Sequence, residues 1–280
     1  MSKKEVLNRK SNNKKSASAE YQKPEPRKIL DEGVLKPQAL VPIRTNTIIA
    51  WILFALTLAV YISTQARTMS FWDSGEYATC ISILGVPHPP GNPFYILLGR
   101  ALTALFGGIF SHAIIAAFIS GLTSAFAVMF TYLFTVKLVS MLKVKAWEAI
   151  MAGTVAALYT AFSFTFWMNA IEAEVYSGLV FFVNLIIWLT LVWVQKSEDY
   201  NYQNILLFIV YLFFLGFGVH QTALQIAPAV LFIVVYPMLQ RGMRNENFWL
   251  KVVGYTAAIL GGYFIAGGIG AKLGIDDFDK

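Results

Sequence analysis

The feature that most limits what this chain can fold into is a succession of long apolar runs without a formal charge. They cover residues 47–64, 110–136, 149–171, 175–195, 205–219, 221–240 and 252–271. A helix that crosses a bilayer needs about 20 consecutive apolar residues. The pattern therefore predicts an all-α membrane protein with about seven transmembrane helices, joined by short polar segments. A transmembrane β-barrel is excluded by pattern, since its strands alternate apolar and polar residues in segments of about 10. Composition agrees. Only 14 % of the residues are charged, against about 25 % in soluble domains.

Charge is distributed unevenly. Half of the 22 lysines and arginines precede residue 45, among them Lys3, Lys4, Arg9, Lys10, Lys14, Lys15, Arg27, Lys28 and Arg44. With Pro24, Pro26, Pro37 and Pro42, this stretch reads as a disordered basic tail, residues 1–44, held in the cytoplasm by the positive-inside rule and drawn to anionic headgroups. No aromatic-studded fold accompanies the charge, so nucleic acid is not an expected partner. Cys80 is the only cysteine, which rules out an intrachain disulfide and a cysteine-based metal site. The first apolar run starts too late for a cleaved signal peptide and reads as a signal anchor. The expected organisation is the tail, a membrane module over 45–273 with an outer loop at 66–109, and a short acidic end at 274–280.

One segment is ambiguous. Residues 94–110 are apolar, but Arg100 lies inside them, and a charge at mid-bilayer costs about 2.5–3.5 kcal/mol on insertion scales. If this segment lies in the interface, the basic joints 137–145 and 241–251 share the cytoplasmic side with the tail. If it crosses, both are expelled. The interfacial helix is favoured. Residues 73–100 and the joints with Asn169, Glu172 and Glu174 and with His220 and Gln221 then fall on the outer rim.

These joints carry the candidate site. In Phe71-Trp72-Asp73-Ser74-Gly75-Glu76-Tyr77, the pair Asp73 and Glu76 matches a capping box; equally, Asp73 has the chemistry of a general base. His88 stands in Val86-Pro87-His88-Pro89-Pro90-Gly91-Asn92-Pro93, a stiff elbow that pre-orients it toward a phosphate or hydroxyl. Arg100 either snorkels to headgroups or binds a lipid-linked phosphate. Asn169 and Glu172 repeat the capping spacing, while Glu174, just before Tyr176, has no such role. His220 and Gln221 follow small residues that permit close helix approach; they either bond between helices or face the site. No P-loop, dinucleotide fingerprint, HExxH or nucleophile elbow occurs, and no metal requirement is indicated.

The runs FWDSGEYATCISILGVPHPPGNPFYILLGRAL, FWMNAIEAEVYS and GFGVHQTALQIAP resemble a bacterial protein O-mannosyltransferase-like membrane family. It is related to the O-mannosyltransferases of the endoplasmic reticulum and belongs to the GT-C superfamily. The resemblance covers roughly residues 45–270. It implies outer-loop juxtamembrane helices on a seven-span module, and a polyprenyl-phosphate-linked sugar as donor, with no protein-bound cofactor. It also implies an acceptor protein, Asp73 as base with Glu76 beside it, and His88, Arg100, Asn169, Glu172, Glu174, Tyr176, His220 and Gln221 as binding residues. The site would be periplasmic at a bacterial inner membrane, or lumenal at the endoplasmic reticulum. Family members are usually longer, so a second chain supplying a C-terminal part is an expected partner. A transporter or lipid flippase, or a non-catalytic truncated membrane subunit, are the alternatives.

Overall fold

A computed structural model describes residues 37–196 and 202–242. The expected seventh span at 252–271, most of the basic tail and the acidic end lie outside the described residues. Those described are helical, without a strand. Helix α1 is Ile43–Thr64, α2 Ser74–Ile83, α3 Pro93–Phe106, α4 His112–Val139 and α5 Ala146–Phe162. Then come α6 at Phe164–Ile171, α7 at Tyr176–Gln195 and α8 at Asn204–Val219, with a 3₁₀ turn over Gln221–Ile226 leading into α9 at Ala227–Gly242. Three helices (α1, α4 and α7) are long and apolar enough to cross a membrane, and α5 with α6 makes a fourth if the bent pair is one span. The remaining apolar helices are shorter.

Helix α4 is the axis of the bundle and packs against α1, α2, α3, α5, α6 and α7. Its sequence explains this role. Ala116, Ala117, Ser120, Gly121, Ser124, Ala125 and Ala127 are all buried, and such small side chains let neighbouring backbones approach closely. Between α4 and α7, Asn184 donates to the Ala127 carbonyl at 3.0 Å and to the Thr131 hydroxyl at 2.9 Å.

The run 149–171 is not one straight helix. It breaks at Ser163 and bends by 63°. The break exposes the last carbonyls of α5, and the buried Tyr61 hydroxyl of α1 donates to one of them, Ala161 O, at 3.0 Å. A lost turn of helix inside an apolar bundle is tolerated only when such a partner exists.

Helices α2 and α3 cover one end of the bundle. At 14 residues, α3 is too short for a hydrocarbon core of about 30 Å. It buries Tyr95, Ile96, Gly99 and Thr103 and exposes Leu97, Leu98 and Leu105. Gly99 is where α3 crosses α2, and a Cβ there would run into the buried side chain of Ile81. Overpacking of this kind costs about 1–3 kcal/mol. Gly99→Ala is expected to lower the thermal unfolding midpoint of the detergent-solubilised protein, and Gly99→Ala with Ile81→Ala to recover part of that loss; equal midpoints for wild type and Gly99→Ala would contradict the close approach.

A carboxylate and histidine cluster at one end of the bundle

Four chain breaks meet at the end covered by α2 and α3. Ala66, after α1, donates its N–H to Ile171 O at the end of α6, at 2.8 Å. Ser74, opening α2, donates to Ala173 O at 3.3 Å. The Ser120 hydroxyl of α4 accepts from Glu174 N and donates to Glu174 O, both at 2.9 Å. Asn92, before α3, donates to Val219 O at the end of α8, at 2.6 Å. The rim is thus a set of loops, each tied to another by hydrogen bonds that complete otherwise orphaned backbone groups.

Asp73 occupies the N-cap position of α2, yet its side chain makes no capping bond. The residue before it, Trp72, adopts a left-handed φ of 62°, an uncommon conformation for a bulky residue. The capping box expected from Asp73 and Glu76 does not form. Glu76 instead accepts the backbone N–H of His88 and bonds His88 Nδ1, each at 2.7 Å. This arrangement pins Nδ1 and turns His88 Nε2 toward Asp73 Oδ2, 3.8 Å away. The hydrogen bond from His88 holds the Glu76 carboxyl below its ordinary range. Reciprocally, Glu76 raises the imidazole, with Asp73 adding to the effect. Ligand atoms of Asp73, Glu76 and His88 lie within 4.8 Å of one another. Such an oxygen and imidazole set is compatible in type with a divalent cation.

Glu174 lies deeper. Its Oε2 is buried without a hydrogen-bond partner among the described residues. Burial, reinforced by the charges of Asp73 and Glu172, raises its carboxyl to about 7. The Tyr77 hydroxyl is pushed up by burial and by the charges of Glu174 and Asp73. His220 is lowered by burial and by the charge of His88. Its Nδ1 bonds the Thr222 hydroxyl at 2.7 Å, and its ring lies 5.3 Å from that of Tyr176. Asp73, Glu76, His88, Glu172, Glu174, Tyr176 and His220 therefore share one electrostatic neighbourhood.

Three expected residues lie differently. Arg100 donates to Ser82 O, in the last turn of α2, nine residues and roughly 13 Å along the helix from Asp73. Asn169 bonds Thr165 O within its own helix at 2.8 Å, and it does not cap α7, whose N-cap is Val175. Gln221 is exposed. Sequence reasoning overlooked Asn92, Tyr77 and Ser120. Asn92 is 1 % exposed, left-handed with φ 42°, and accepts from the Tyr77 hydroxyl at 3.4 Å. The one available signal was an asparagine in a Gly–Asn–Pro turn, a place that suits left-handed backbone.

The profile of a protein family described as the protein O-mannosyl-transferase TMEM260 N-terminal domain matches residues 73–242. The chain belongs to this family. The matched region begins at Asp73 and spans every helix from α2 to α9. Among curated proteins, the chain is similar to protein O-mannosyl-transferase tmem260 of Dictyostelium discoideum, 30 % identical over 163 residues, 54 % of this chain and 18 % of that protein. It is also similar to protein O-mannosyl-transferase TMEM260 of Mus musculus, 33 % identical over 139 residues, 49 % of this chain and 18 % of that one. The matched region thus covers under a fifth of these relatives' length. No solved structure matches the chain.

The position of Glu174 generates a pH prediction. Its carboxyl ionises near 7 when folded and near the ordinary 4.5 when unfolded. Between these values the folded state holds the extra proton, so this group makes stability fall as pH rises, and the full cost is present above 7. Glu174→Gln is expected to flatten that limb and to raise the unfolding midpoint at pH 8 relative to wild type. Thermal unfolding of both proteins between pH 4.5 and 8 checks this; parallel curves would contradict it.

Proposed function

We propose that the chain is the membrane-embedded catalytic module of a GT-C-type glycosyltransferase. It moves a sugar, mannose by the names of its relatives, from a polyprenyl phosphate to a protein hydroxyl. The observation that carries this reading is the division of labour among the carboxylates. Glu76 is consumed in orienting His88, whereas Asp73 keeps a half-exposed carboxylate with no capping duty. In the proposed step Asp73 removes the proton from the acceptor hydroxyl as its oxygen bonds to the anomeric carbon, and the bond from that carbon to the phosphate oxygen breaks. His88, raised toward its cationic form, offsets charge on the departing phosphate. Glu174, protonated near neutral pH, donates a hydrogen bond to a sugar hydroxyl. Arg100, at the far end of α2, is left to contact a headgroup or a more distant part of the donor.

The topology we propose is seven spans, with the N-terminus cytoplasmic and the site on the periplasmic or lumenal face. In its support, Arg44, Lys137, Lys143, Lys145 and Lys196 flank the helix ends opposite the site, as the positive-inside rule requires. Acceptor recognition is assigned to a further portion of the kind the longer relatives carry, on this polypeptide or on a partner chain. The gathering of ionisable groups at one rim, rather than at mid-membrane between broken helices, favours transfer over transport.

The test is transfer of labelled mannose from polyprenyl-phosphate mannose to membrane proteins. Asp73→Asn is expected to lower turnover by about 10²–10⁴-fold with little change in the KM for the donor. Undiminished turnover in a folded Asp73→Asn protein would remove Asp73 as the base.

A further inference from the structure

The end of the bundle opposite the carboxylate cluster carries a groove that the proposed transfer does not use. It has a volume of about 660 Å³ and is bounded by α1, α4 and α7. Its apolar walls include Met129, Phe130, Leu133 and Trp188, and Asn46, Lys137, Gln195 and Lys196 also line it. Among the described residues no acidic side chain does so.

The polar groups are arranged mainly as donors. Lys137 Nζ donates to Gln195 Oε1 at 2.7 Å. This bond decides which end of the amide is oxygen, so Gln195 Nε2 points elsewhere; it is buried and has no hydrogen-bond partner among the described residues. An ammonium carries three N–H donors, so Lys137 has two more to give. Lys196 donates to the Tyr202 hydroxyl and lies 4.2 Å from the centre of that ring, and among the described residues its exposed ammonium has no other partner. Asn46 Oδ1 is a buried acceptor, also without a partner among the described residues. Buried amide groups left unpaired in this way are costly, which points to a ligand that supplies both acceptors and a hydroxyl.

We propose that the groove seats an acyl chain of an anionic phospholipid, whose phosphate accepts from Lys137, Gln195 Nε2 and Lys196. Asn46 Oδ1 accepts from a headgroup hydroxyl. Charge complementarity selects this occupant. Two cations without a lining acid attract a phosphate monoanion, whereas the trimethylammonium of a zwitterionic lipid would be brought against both lysines. Glu198 and Asp199 follow Lys196 in the chain and lie outside the described residues, so the decisive comparison is between lipids on one protein, not a measure of overall charge.

The experiment is native mass spectrometry of the full chain in detergent, titrated with phosphatidylglycerol, phosphatidylcholine or inorganic phosphate. Wild type is expected to retain phosphatidylglycerol at concentrations roughly tenfold or more below those needed for phosphatidylcholine. Lys137→Gln with Lys196→Gln should abolish that preference. Lys196→Gln alone changes an exposed side chain and should reduce the preference even where the double variant fails to fold. Leu133→Trp, which fills the groove, should weaken binding of both lipids. Equal retention of the two lipids by wild type, or an unchanged preference in Lys196→Gln, would overturn the proposal. Displacement of phosphatidylglycerol by inorganic phosphate at equal concentration would overturn it in favour of a free-anion site.

Discussion

Everything in this fold follows from one constraint: inside a bilayer, a backbone N–H or C=O without a partner costs several kcal/mol. Long apolar runs meet that constraint by becoming helices. Wherever the helices stop, something else must complete the ladder. Here the completing groups come from distant parts of the chain. Tyr61 serves the end of α5, Ala66 the end of α6, and Asn92 the end of α8, while Ser120 holds both backbone groups of Glu174. Because these breaks serve one another, they collect at one end of the bundle. The polar side chains that such breaks bring with them are thereby forced together.

The electrostatics of the cluster follow from that crowding. Asp73, Glu76 and Glu174 all act on His88, and Glu172 adds its charge at Glu174; carboxylates at such close quarters cannot all ionise cheaply. The site resolves the conflict in three ways. Glu76 takes the direct hydrogen bonds of His88 and remains ionised. Glu174, the most enclosed, keeps its proton up to about pH 7. Asp73 stays partly exposed, close to the imidazole but not bonded to it. Chemically similar acids are thus separated into a fixed anion held by His88, a neutral donor kept protonated by burial, and a half-exposed carboxylate, which is how acid and base roles become distinguishable.

Much of this was legible in the sequence, and what was not shares a cause. Apolar run length located α1, α4 and α7 closely, because it depends only on local composition. Charge asymmetry singled out 94–110 as an expected interfacial segment, and the structure makes a 14-residue helix there. The rim was legible for a similar reason: among the polar breaks between the runs, its joints together carry histidine with acids rather than mainly lysine and arginine. Capping, however, was misread. Asp73 and Glu76 have the spacing of a capping box, but the box lost Glu76 to His88, a partner 12 residues away that no local window weighs. The bend at Ser163 depends on Tyr61 reaching Ala161, 100 residues away in sequence. Asn92 is buried only because α8 ends against it. Each of these is a tertiary hydrogen bond overriding a local preference, and spacing alone carries no information about it.

The position of α3 ties the architecture to the proposed chemistry. Its exposed leucines, Leu97, Leu98 and Leu105, face outward while Tyr95, Ile96 and Thr103 pack inward, a pattern suited to lying along an interface. Asn92 fixes its start to the end of α8, and the same turn carries His88 to Asp73. The cluster is therefore held beside a 14-residue helix that is shorter than an ordinary membrane span. On the proposed function, with such a helix in the interface, the transfer of a lipid-borne sugar to a protein hydroxyl would occur at that height. Deeper in the bundle, the acceptor hydroxyl would have to leave water; further out, the phosphate would have to pull its polyprenyl chain from the membrane. The short, Pro-led helix that cannot span is, on this reading, the element that sets the height of the reaction.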